Sequence, residues 1–216
     1  MKYSYLLFDL DGTLTDPKIG ITKSVQYALK KMGIEEDLAN LTKFIGPPLG
    51  ESFEKYYGFT NDRRRVAVDN FREYFSTQGL FENEVIEGIA EMLELLGKHE
   101  KIMYVATSKP TFFSEQIIQH FHLDTHFTKI VGANLDETKT DKAEIIADIL
   151  SLHPNVDKKH FVMIGDRKHD IIGAQKMGID SIAVGFGYGS EEELQKVNAT
   201  YYVSTVKQLE ELLLTA

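Results

Sequence analysis

The 216-residue chain is 43% hydrophobic and sets 24 Lys and Arg against 33 Asp and Glu, a formal charge of −9. That balance argues against nucleic acid or an anionic membrane as the main partner, although a local basic pocket could still hold an anion. Without cysteine, disulfides and thiolate metal sites are excluded, so any metal must be held by oxygen or imidazole. No apolar stretch approaches the roughly 18 residues of a membrane span, and the first apolar run breaks at Asp9, too soon for a signal peptide. The expectation is a soluble cytoplasmic protein, a monomer or homodimer.

Residues 3–8 predict a short buried strand, aromatic and aliphatic, that runs directly into Asp9, Asp11 and Gly12. From Pro17 the period becomes helical: Ile21, Val25, Ala28, Leu29 and Met32 recur on one face until Gly33. The Pro- and Gly-rich segment FIGPPLGESF reads as a loop, and a second long helix is expected over 61–78. After Glu84 strand and helix alternate. Strands are expected at 101–106, 128–132, 160–164 and 180–184, with helices near 87–97, 111–121, 141–151, 168–177 and 205–214. Short, continuously apolar strands between helices imply a parallel sheet covered on both faces. The expected architecture is therefore an α/β core, residues 1–15 and 82–216, interrupted by an all-helical segment at 16–81.

In open α/β sheets the ligand site lies beyond the carboxyl ends of the strands. There the first strand delivers Asp9 and Asp11, the strand at 101–106 delivers Thr107, Ser108 and Lys109, and the strand at 160–164 delivers Asp166 and then Asp170. Lys142 falls in the first turn of the helix that opens near Asp141. Several carboxylates at one edge repel each other unless a cation sits among them, and hard oxygen ligands in a Cys-free chain suggest Mg²⁺. A lysine in a first helical turn opposes the macrodipole by about 0.3–1 kcal/mol, which makes sense if an anion sits there. Together these features describe a phosphoryl site.

The segments FDLDGTLTD, VATSKP, DKAEII and IGDRKHDIIGAQKMGI resemble, in order, the four motifs of the haloacid dehalogenase-like superfamily. The resemblance spans nearly the whole chain and is closest to the phosphoglycolate phosphatase-like branch with a small helical cap. It implies a Rossmann-like core, a Mg²⁺ cofactor and hydrolysis of a small phosphorylated metabolite through a phosphoaspartate. By that resemblance Asp9 is nucleophile and Mg²⁺ ligand, and Asp11 is general acid/base, offering its backbone carbonyl to the metal. Gly12, Thr107, Ser108, Lys109 and Lys142 bind phosphate, and Asp166 with Asp170 completes the metal site. Phosphoglycolate, a sugar phosphate and a nucleoside monophosphate all remain open as substrates. A phosphomutase and a non-catalytic phosphate-binding regulatory protein are the rival readings.

Other features have plainer readings. An isolated DxD pair is a common turn, and a calcium loop is excluded because Gly12 directly follows Asp11 and a third acid is missing. His120, His122 and His126 fall in a connection where polar residues are expected. GFGYG at 185–189 lacks the dinucleotide spacing and reads as a flexible turn near the rim, while Arg63, Arg64 and Arg65 read as a solvated face. The 45–50 loop, Lys43 and Arg72 are candidates to meet the leaving group.

Overall fold

A computed structural model describes residues 2–136 and 138–215. The chain begins with β1 (Tyr5–Phe8), whose Leu6, Leu7 and Phe8 are fully buried, and turns through Asp9–Leu14 into a two-residue strand, β2 (Thr15–Asp16). A helical stretch follows: α1 (Lys18–Lys31), a 3₁₀ segment (Leu38–Phe44), α2 (Leu49–Tyr57), α3 (Asn61–Tyr74) and one π-helical turn (Phe75–Gly79). A second two-residue strand, β3 (Glu84–Val85), pairs antiparallel with β2 and returns the chain to the sheet. The remainder alternates α4 (Ile89–Lys98), β4 (Ile102–Pro110), α5 (Thr111–His120), β5 (Lys129–Ala133), α6 (Lys142–Ser151), β6 (Phe161–Gly165), α7 (Lys168–Met177), β7 (Asp180–Val184), α8 (Glu191–Gln195), β8 (Tyr201–Val203) and α9 (Val206–Thr215).

The main sheet has the order β5-β4-β1-β6-β7-β8, and every pairing in it is parallel. This is the α/β, Rossmann-like architecture expected from the buried apolar strands. β1 lies between β4 and β6, in register Phe8 with Val105 and Phe8 with Ile164. The chain builds outward to β5, then crosses back past β1 to start β6. Side chains just after β1, late in β4 and just after β6 therefore converge at the strand-order reversal, where α/β sheets bind ligands. The apolar faces of α1, α3, α4, α5 and α9 join β1, β4 and β6 in one continuous core that includes Phe8, Val25, Phe71, Leu96, Val105, Ile117 and Leu213. On the opposite face, Leu7, Tyr104, Ile145, Ile149, Phe161 and Ala174 form a second core under α6 and α7.

Three local expectations are corrected. The segment read as one loop is a loop only as far as Pro48, and a helix begins at Leu49 because Pro48 (φ −53°) suits a helix entry and Gly58 ends it at φ +65°. The expected helix over 61–78 is α-helical to Tyr74 and then widens to a π turn. The β2–β3 ladder and the short α8 and β8 escaped notice because two to five residues carry too little period to register.

Candidate active site

Asp9 follows β1 directly, and its backbone N–H donates to the carbonyl of Ile164 in β6 at 2.8 Å, so β1 and β6 together fix its direction. Its Oδ1 receives the Lys142 ammonium at 2.9 Å. That ammonium also donates to the carbonyl of Ala106 in β4 at 2.7 Å and lies 2.8 Å from Oδ1 of Asp170. Lys142 thus ties β1, β4 and α7 from the first turn of α6, where the Asp141 side chain accepts from Ala143 N–H at 2.9 Å. The anion that compensates a lysine at a helix start is supplied here by the chain's own carboxylates. Burial opposes the lysine's charge, but Asp170 and Asp9 outweigh it and hold its pKa above the ordinary value.

Asp11 occupies a different environment two residues away. Its Oδ2 lies 2.8 Å from the Lys109 ammonium, which also sits 4.8 Å from the centroid of the Phe75 ring. The other oxygen, Oδ1, is buried with no hydrogen-bond partner among the described residues. Burial pushes the Asp11 carboxyl up despite Lys109.

Asp166 follows β6 and is fully buried. Its Oδ2 accepts from the backbone N–H of Tyr188 at 2.7 Å, and its Oδ1 lies 3.4 Å from the Thr13 hydroxyl. Gly12 (φ +84°) and Gly187 press against it: a Cβ at either would come within 2.4 Å of this side chain. Burial, then the charges of Asp9 and Asp170, push Asp166 well above the usual carboxylate range. Asp170 is pushed up by burial and Asp9, while its Oδ2 accepts from Arg167 N–H at 3.1 Å. One carboxylate oxygen from each of Asp9, Asp166 and Asp170 falls within 4.8 Å of the others. Three buried, closely grouped, all-oxygen donors fit a hard divalent cation such as Mg²⁺.

Thr107 is buried and its hydroxyl accepts from Lys109 N–H at 3.2 Å, which turns the end of β4 toward the site; the Ser108 hydroxyl donates to the Thr140 carbonyl at 3.1 Å. All three residues line a cavity of about 80 Å³ with Asp9 and Asp11. Its far wall is apolar, with Phe44, Phe71, Phe75, Phe113 and the Gly46–Leu49 segment, and Arg72 contributes a cation.

Among the other candidates, Arg72 reaches the cavity and Lys43 does not: its ammonium lies over the Tyr56 and Tyr57 rings at 4.7 and 5.6 Å. GFGYG is a structural part of the site through Gly187 and Tyr188, not a loose rim turn; the only hint was its density of glycine. His120 packs against Phe81 and Phe121. Arg64 and Arg65 pair with Glu54 and Asp62 on the surface, as expected of a solvated face.

A parallel sheet that gathers two differently held aspartates, a threonine, a buried lysine and a further acidic pair at one edge is the frame of a hydrolase. The haloacid dehalogenase-like hydrolase family model matches residues 6–184, and the chain belongs to that family. It is 48% identical over 214 residues to a 5'-nucleotidase of Pseudomonas aeruginosa, covering 99% of this chain and 96% of that protein. Tyrosine-protein kinase PtkA of Mycobacterium tuberculosis is 36% identical over 214 residues, covering 96% of this chain and 72% of the kinase. Among solved structures, a predicted phosphatase from Clostridium acetobutylicum superposes with a TM-score of 0.96 at 46% identity, over 100% of both chains.

Proposed function

We propose that the protein is a phosphoric monoester hydrolase that cleaves a small phosphorylated metabolite through a phosphoaspartate at Asp9, with Mg²⁺ as cofactor. The observation that carries this reading is the different setting of the two aspartates: Asp9 is pinned by the Lys142 ammonium, whereas burial raises the pKa of the Asp11 carboxyl, and its Oδ1 has no hydrogen-bond partner among the described residues. In the first step an Asp9 oxygen forms a bond to phosphorus while the bond to the leaving oxygen breaks. Asp11 gives that oxygen a proton. In the second, Asp11 takes a proton from water as the water oxygen attacks phosphorus and the bond to Asp9 breaks. Thr107, Lys142, the Ser108 and Lys109 segment and the Gly12 backbone orient the phosphoryl oxygens. Asp9 and Asp166 would hold the cation, with Asp170 beside them and the Asp11 carbonyl as a further ligand. When bound, the cation supplies positive charge against the phosphate and the carboxylates.

The helical residues 16–81 act as a cap that excludes water and contacts the leaving group. The aromatic wall suits a flat ring, so a nucleoside monophosphate fits better than phosphoglycolate, whose second anion would meet a wall that is apolar apart from Arg72. The nucleotidase name of the Pseudomonas aeruginosa relative supports the same choice. A cavity of about 80 Å³ is well below the roughly 300 Å³ of ligand pockets, so the cap must open to admit such a substrate.

Phosphate release from a panel of nucleoside monophosphates, sugar phosphates and phosphoglycolate tests the proposal. Mg²⁺-dependent release, fastest from the nucleotides, is expected. Turnover undiminished in EDTA, or phosphoryl transfer to a second sugar without phosphate release, contradicts it.

A further inference from the structure

Arg167 has no part in the chemistry above, yet it is 91% buried, its exposure being 9%. It follows Asp166 and caps α7. Its guanidinium makes a fork with Glu193 at the start of α8, Nε to Oε1 at 2.9 Å and Nη2 to Oε2 at 3.1 Å. Glu193 is held in turn: its Oε1 accepts from Lys168 N–H at 3.0 Å, and its own N–H donates to the Ser190 hydroxyl at 3.1 Å. The third arm of the guanidinium, Nη1, donates to the backbone carbonyl of Ile45 in the helical segment. Gly46 then passes over the arginine at φ +97°, and a Cβ there would come within 2.8 Å of Arg167 Cγ.

The two residues that follow are Pro47 and Pro48, whose rings fix φ, so an anchor at Ile45–Gly46 sets the course of the whole turn. That turn forms the wall of the cavity opposite Asp9 and Asp11. On its other side lies a separate cavity of about 240 Å³ lined by Pro47, Ser52, Tyr56, Arg167 and Glu193. Pro47 thus borders both cavities. Ile45 itself is fully buried in the main core, so its side chain anchors the start of the turn, and the arginine contact fixes the backbone at Ile45 and Gly46.

We infer that Arg167, braced by Glu193, is a positioning residue: it holds the Ile45–Pro48 turn against the core so that the pocket for the leaving group is formed. Arginine suits this because its planar fork satisfies a carboxylate and a carbonyl in one fixed geometry, which lysine cannot do. Because Arg167 is adjacent to Asp166, the cap turn is referenced to the cation site itself. The kinetic part of this inference rests on the phosphatase reading; the structural part stands without it.

The test compares wild type with Glu193→Gln, which keeps the shape and weakens the brace, and with Arg167→Lys and Arg167→Met. Amide hydrogen exchange over 45–53 should quicken by about tenfold in Arg167→Met and less in Glu193→Gln, with the strands unchanged. In steady state, kcat/KM for a nucleoside monophosphate should fall about 10–100-fold, mostly through KM, with Arg167→Lys intermediate. Acetyl phosphate, which has almost no leaving group to be held, should lose less than about threefold. Unchanged exchange over 45–53 in both Glu193→Gln and Arg167→Met overturns the inference, as does an equal loss for both substrates. If wild type hydrolyses neither substrate, the phosphatase reading fails and the exchange measurement alone decides the role of Arg167.

Discussion

The ammonium of Lys142 lies 2.9 Å from Oδ1 of Asp9 and donates as well to the Ala106 carbonyl at 2.7 Å, so one buried cation orients the proposed nucleophile and joins two strands. This reverses what the sequence alone suggested for stability. A lysine at a helix start reads as a mild liability, whose loss would stabilise the chain or leave it unchanged. In the fold it neutralises buried carboxylates. Lys142→Met should destabilise the protein by about 3–5 kcal/mol in urea unfolding and abolish turnover, because removing one member of a buried ion cluster strands the others. Unchanged stability would contradict this role.

The acidic group makes an opposite prediction for Asp166. Its pKa is raised, so its ionised form costs stability at every pH above the unfolded value near 3.8. Asp166→Asn should raise the melting temperature without metal, by about 2–4 °C for each kcal/mol relieved. It should also lose the stabilisation expected of Mg²⁺ in wild type, about 2.7 kcal/mol at a hundredfold excess over Kd. A variant that melts lower in chelator and still responds to Mg²⁺ would show that Asp166 is not a ligand.

His169 gives a pH dependence. Burial, then the charges of Arg167 and Lys168, lower its pKa to about 4 from a usual 6.5. The folded chain therefore binds fewer protons than the unfolded chain between those values, and stability is lost as pH falls through that window. Partial exposure keeps the effect on the order of 1–2 kcal/mol. Carboxylates of raised pKa work the other way, so the comparison is with His169→Gln, measured at pH 7.5 and pH 5 by thermal melting. Wild type should lose more than the variant on acidification; parallel losses would remove His169 as the cause.

The sheet and the convergence of the acidic residues were legible because a strand buried on both faces is an unbroken apolar run that ends where a polar residue follows. Asp9, Thr107 and Asp166 each stand at such an ending. What stayed hidden depends on partners far apart in the chain. Ser190 to Glu193 has the spacing of a helix capping box, and the Ser190 hydroxyl does accept from Glu193 N–H at 3.1 Å. The glutamate's carboxylate is used elsewhere, on an arginine 26 residues away, and no local pattern announces that. Lys43 was misjudged for a similar reason, since the Tyr56 and Tyr57 rings that hold it belong to a helix obscured by its Pro-Gly entry.

The central claim is that Asp9 attacks phosphorus and Asp11 moves protons, and one measurement separates them. With an activated substrate whose leaving group needs little acid help, Asp11→Asn should still allow the first step but stall the second. Acid-quenched Asp11→Asn enzyme, digested and analysed by mass spectrometry, should then carry a phosphoryl adduct on the peptide containing Asp9. Wild type should show little at steady state, and Asp9→Asn none. An adduct on any other residue, or turnover by Asp9→Asn through direct attack of water, would contradict the account.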